Sequence, residues 1–163
     1  MNKEFNGKII RHPKGKAGEY SYIAADAWFG CSNGCTYCYL KTGFWKRLFT
    51  NPPHLKSGIR DNEHAFELFK NDVEKIGITT LQKYGIFLNF ESDPFLPETG
   101  WLTQNIVNFC AENKITVKLL TKRASVFYDP GRDQPRNDNW IWRSRIHLVK
   151  RYFRPDSKQR RQS

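Results

Sequence analysis

A chain of 163 residues, 39% of them hydrophobic, is long enough to bury one real core. It has no apolar run near the roughly 20 residues that span a bilayer, and its first residues carry no signal-peptide core, so a cytoplasmic, reducing setting without a membrane is expected. The formal charge of +11 favours an acidic partner such as nucleic acid, but its distribution is uneven: residues 1–131 hold 17 Lys+Arg against 13 Asp+Glu, and residues 132–163 hold 10 against 3.

Residues 1–19 read as an extended lead-in rich in Lys and Gly. Tyr20–Phe29 is apolar enough for one strand ending at Gly30. Residues 39–62, with Pro52, Pro53 and Gly58, look like a long irregular connection. Within it Phe44, Trp45, Lys46, Arg47, Leu48 and Phe49 mix rings with cations, a composition that suits either base stacking or a solvated cover over the sheet. Phe66, Phe69, Val73 and Ile76 recur at helical spacing, which predicts a helix over 63–76 with Gly77 as its stop. A second strand is expected over 85–90, a second helix over 103–112 and a third strand over 115–120. Strand and helix in alternation imply an α/β fold with right-handed crossovers and a parallel sheet. Ligands gather at the carboxyl ends of such strands. The three strand ends would then bring together the cysteine loop, Glu91-Ser92-Asp93 and Thr121-Lys122.

Cys31, Cys35 and Cys38 fall within eight residues. That spacing is poor for disulfides and good for a metal. Three thiolates can hold three corners of a four-iron cluster and leave the fourth iron open, as a reactive site requires. Gly30 and Gly34 would let the backbone fold closely around the inorganic core, and loop N–H groups could donate to its sulfides.

Cys-x3-Cys-x2-Cys with an aromatic residue before the last cysteine resembles the cluster loop of the radical S-adenosylmethionine enzymes. Together with Pro13–Tyr20, Ser92-Asp-Pro-Phe-Leu-Pro97 and Thr121-Lys122, it is similar to the spore photoproduct lyase and DNA repair photolyase branch, over roughly residues 8–129. The resemblance implies a partial TIM barrel of the radical S-adenosylmethionine type, with only about its first three strand–helix units present. It also implies a [4Fe–4S] cluster on Cys31, Cys35 and Cys38, and S-adenosylmethionine chelated to the fourth iron by its amino and carboxylate groups. Reductive cleavage of the cofactor would give a 5′-deoxyadenosyl radical that abstracts a substrate hydrogen, in a lyase-like reaction for which nucleic acid is a candidate substrate. An electron donor such as flavodoxin or ferredoxin is implied as partner. By the same resemblance Tyr37 would lie beside the adenine, Ser92 and Asp93 would approach the amino group, and Lys122 would neutralise the carboxylate. Acid for ammonium and cation for carboxylate is also what charge complementarity asks.

Other readings stay open. The same cysteines with His12, His54 or Cys110 would make a zinc site in a nucleic-acid-binding module, although no second Cys-x2-Cys unit is present. Cys110 reads as a small core residue of the second helix, and the four histidines as surface residues. Six barrel units need about 180 residues at roughly 30 apiece, so the chain divides into the lead-in 1–19, the first part of a core at 20–130 and a basic, Arg-rich tail at 131–163. The basic residues change from 13 Lys and 4 Arg before residue 132 to 2 Lys and 8 Arg from residue 132 on, which suggests a change of reading frame or a truncated, inactive cluster-binding remnant. The rival is a native tail in which Trp142, Ile146, Val149 and Phe153 line one face of a basic amphipathic helix.

Overall fold

The computed structural model describes residues 5–123 and 146–148. It is a mixed α/β fold whose five-stranded sheet is mostly parallel. In chain order come β1 (Ile10–Arg11), α1 (Lys16–Tyr20), β2 (Ala24–Ala25), β3 (Trp28–Phe29), β4 (His54–Leu55), α2 (Asn62–Ile76), α3 (Ile78–Tyr84), β5 (Ile86–Leu88), α4 (Gly100–Glu112), β6 (Val117–Leu119) and β7 (Ile146–Leu148), with two short 3-10 helices between β3 and β4. The main sheet runs β1-β2-β5-β6-β7, and β3 pairs with β4 in a separate ribbon. β2, β5, β6 and β7 are mutually parallel, while β1 is antiparallel at the edge.

The expected strand over 20–29 is corrected to three pieces. Tyr20 closes α1, Ala24–Ala25 enter the main sheet, and Trp28–Phe29 leave it for β4. Asp26 causes the break. Its buried carboxylate accepts from Arg11 at 2.8 Å and from the backbone N–H of Glu91 at 3.1 Å, so the chain turns inward after Ala25. Alternation of apolar residues could not reveal this, because the partners lie 15 and 65 residues away.

The other elements follow their sequence signals. Asp61 caps α2 by accepting from the N–H of His64 at 2.7 Å, and Gly77 ends the helix at φ 87°, a conformation that glycine adopts without penalty. α3, which no periodicity announced, fits between Gly77 and Gly85. Helices α2 and α4 pack together on one face of the sheet, with Phe109 edge-on to Phe69 at 5.7 Å between centroids. Ile86, Leu88, Val117 and Leu119 meet them from the sheet, and each such side chain contributes about 2 kcal/mol on burial.

The opposite face carries Ala24, Phe87 and Lys118 in register. Phe87 is completely buried there and lies 5.7 Å from both Tyr20 and Phe90, ring to ring. With both faces covered, β5 is apolar at every position instead of alternating.

A fourth parallel strand is the second correction. Ile146–Leu148 pair with Val117–Leu119, so Ile146 lies in a strand and not in an amphipathic helix. Pairing here covers an edge of β6 that would otherwise be open. Trp142, Val149 and Phe153, and most of the tail 131–163, lie outside the described residues, as do the side chains of Phe44 and Trp45.

Candidate functional site

The carboxyl ends of β5 and β6 and the loop after β3 converge on one cavity of about 150 Å³. Its lining includes Cys31, Cys35, Cys38 and Tyr37 from the loop, Ser92 and Asp93 beyond β5, and Thr121 and Lys122 beyond β6. Every side chain singled out for the site therefore lies on this one cavity. Tyr20, Tyr39, Asn89, Phe90 and Leu120 complete much of the wall, and the Tyr39 and Phe90 rings sit 5.0 Å apart.

Gly30 positions the start of the loop. It adopts φ 93°, and a Cβ there would fall 2.4 Å from the carbonyl oxygen of Thr50. The Gly30 N–H donates to the Glu91 carbonyl and the Cys31 N–H to the Thr50 carbonyl, each at 3.1 Å. Gly34, at φ 70°, turns the chain in open space. Downstream, the Lys41 ammonium donates to the Cys35 carbonyl at 3.1 Å.

All three loop cysteines are free thiols of intermediate burial. Burial pushes the Cys31 thiol above its usual range; backbone N–H groups of Asn33 and Asp93 oppose that rise, and the Asp93 carboxylate adds to it. Among the described residues no three His, Cys, Asp or Glu side chains gather where one metal ion could be held. A single tetrahedral ion needs such convergence, whereas a four-iron cluster takes each thiolate on a different iron. Three soft thiols that line one cavity are the donor chemistry such a cluster takes. The further ligands that zinc would require do not line the cavity: His12 lies beside the Tyr22 carbonyl and His54 beside the Thr50 hydroxyl. Cys110 is buried in the core, and desolvation raises its thiol to about 12.

Ser92 and Asp93 are adjacent but differ in what they offer. The Ser92 hydroxyl oxygen is buried and has no hydrogen-bond partner. The Asp93 carboxylate accepts from the Phe95 N–H at 2.9 Å, the Lys122 N–H at 2.8 Å, the Asn33 amide at 2.8 Å and the Thr121 hydroxyl at 2.8 Å. The Lys122 ammonium lies 5.0 Å from the centroid of the Tyr37 ring, a cation–π distance.

Sequence reasoning missed three participants. Asn33 carried no signal in the sequence, yet its amide reaches Asp93 while its carbonyl accepts from the Arg123 guanidinium at 2.7 Å. Tyr39 donates its hydroxyl to the Phe90 carbonyl, and burial, then the Asp26 carboxylate, hold the phenol far above its ordinary range. Glu91 binds Arg11 at 2.7 Å and Lys56 at 2.6 Å, joining the lead-in and the β3–β4 ribbon to the end of β5. Position within the Glu91-Ser92-Asp93 segment was the only signal for Glu91; nothing local marked the other two.

No family model, curated protein or solved structure matches the chain.

Proposed function

We propose that this chain is a radical S-adenosylmethionine protein of the photoproduct-lyase-like kind. The observation that carries the reading is the convergence of three thiols, an unpartnered buried hydroxyl and a lysine, from three distant segments, on one cavity. The parallel order β2-β5-β6-β7 suits consecutive units of a partial TIM barrel, which places such a site at the strands' carboxyl ends.

Cys31, Cys35 and Cys38 would hold a [4Fe–4S] cluster, one thiolate to each of three irons. When bound, the cluster supplies the electron that opens the sulfur–carbon bond of S-adenosylmethionine. The protein's part is to bind and orient. Ser92 offers its vacant hydroxyl to the cofactor's amino group, Lys122 sets a positive charge for the carboxylate, and the exposed Tyr37 ring gives the adenine a flat face. Tyr20 and Phe90 line the cavity with their rings, and Phe87 packs against both, which keeps water from that side. Nucleic acid is the substrate class that the chain's charge favours, and a flavodoxin or ferredoxin the electron donor.

The test is anaerobic reconstitution with iron and sulfide, reduction, addition of S-adenosylmethionine and assay for 5′-deoxyadenosine. Product formation is expected, and a Cys35→Ala variant should neither hold the cluster nor form product. A brown cluster that yields no 5′-deoxyadenosine would leave a remnant that binds iron without turnover. One tightly held zinc and no iron would sink the proposal.

A further inference from the structure

We infer that Asp93 is a positioning residue that shapes the cysteine loop through Asn33, rather than the acid that meets the cofactor's ammonium group. This deepens the proposed function and rests on it for the identity of the bound groups. The hydrogen bonds themselves are independent of that reading.

The Asp93 carboxylate is enclosed by donors from three segments. Oδ1 accepts from the Phe95 N–H at 2.9 Å and the Thr121 hydroxyl at 2.8 Å, and Oδ2 accepts from the Asn33 amide and the Lys122 N–H, both at 2.8 Å. Two acceptor directions on each oxygen are thereby used, and the residue is only 5% exposed. An incoming ammonium would have to displace one of these donors. The adjacent Ser92 hydroxyl has no such competitor.

The chain of contacts continues on both sides. The Arg123 guanidinium orients Asn33 by donating to its carbonyl at 2.7 Å, and the Arg123 N–H donates to the Thr121 hydroxyl at 2.9 Å. Asn33 lies between Cys31 and Cys35, so its amide fixes the loop where the thiols must be spaced. Because Asp93 carries charge, each of its bonds is of the stronger, charge-assisted kind.

The test uses the full chain without iron and reads the alkylation rate of Cys31 by N-ethylmaleimide, followed by peptide mass spectrometry. Three variants are compared: Asp93→Asn, Asn33→Asp and the reciprocal exchange of both. Asn33→Asp sets two carboxylates face to face, and Asp93→Asn replaces one acceptor oxygen by an NH2 that meets donors on whichever side it turns. Each should raise the rate by roughly tenfold, the scale of one charge-assisted bond. The exchange restores a donor–acceptor pair and should return the rate to within about threefold of the parent, the remainder reflecting the Lys122 N–H. Rates equal to the parent in both single variants, or an exchange as fast as they are, would overturn the inference. Should Asp93→Asn not fold, Asn33→Asp carries the same comparison. In reconstituted protein the exchange should also restore S-adenosylmethionine binding. If it restored Cys31 protection but not binding, the charge would be needed at position 93 itself and Asp93 would be a ligand. Failure of the parent protein to bind S-adenosylmethionine would count against the proposed function and leave the alkylation result standing.

Discussion

Ser92 buries a hydroxyl that the fold does not use. Leaving a buried polar atom unpaired costs free energy, so Ser92→Ala should change thermal stability by less than about 1 kcal/mol and can raise it. The same change should weaken S-adenosylmethionine binding about tenfold, measured by equilibrium dialysis of reconstituted protein. A marked loss of stability with unchanged binding would make Ser92 structural. Cys110 poses the opposite case. Its thiol stays protonated in the fold up to about 12, against an ordinary 9.0, because burial disfavours the thiolate. Above the ordinary value only the unfolded chain releases this proton. Stability should therefore fall by about 1.4 kcal/mol per pH unit from 9 toward 12, and be unaffected by this group below 9. Denaturation curves for Cys110→Ala should lack that part of the slope; an identical slope would refute the assignment. The three loop cysteines stood out by residue type and spacing, whereas Ser92 and Lys122 were singled out only through the resemblance, at strand ends that line the same cavity. Asn33 was not legible, since its meaning comes from Asp93 and Arg123, 60 and 90 residues away.

Gly30 and Gly34 differ as elements of the cysteine loop. Both adopt positive φ, but only Gly30 presses against backbone, 2.4 Å from the Thr50 oxygen to where a Cβ would stand. Gly34→Ala should cost about 1 kcal/mol for its conformation alone. Gly30→Ala adds a steric clash that must move Thr50 and the connection leading into β4, so a loss of about 3 kcal/mol and poor cluster uptake are expected. Urea denaturation with iron analysis would check both, and equal effects from the two would contradict the contact. At this scale α2, α4, β5 and β6 were legible, because capping residues and apolar periodicity are written locally. The splitting of residues 20–29 was not. A run of apolar residues does not say which strand it pairs with, and the buried Asp26 that redirects the chain is decided by Arg11 and Glu91.

For the molecule as a whole, the parallel α/β arrangement was legible from the alternation of strand and helix, and the convergence of strand ends followed from it. β7 was not. Ile-His-Leu is too short a run to announce a strand, and its role comes from the open edge of β6. The charge excess of residues 132–163 is plain in the sequence, yet sequence alone could not show that part of this segment belongs to the same sheet.

The contacts that fasten the cysteine loop have a bearing on folding order. Gly30 is bonded to Glu91, Asn33 to Asp93 and Arg123, and Arg11 reaches 80 residues to Glu91. Loop closures of this length form late, after local helices. During synthesis the thiols thus emerge long before the segment that spaces them. A fragment ending at Tyr84 should accordingly bind iron and sulfide poorly although it holds every cysteine of the loop, and extension through Arg123 should restore uptake; full uptake by the shorter fragment would show that the loop needs no such support. Cluster insertion, by this reasoning, awaits the last third of the described chain.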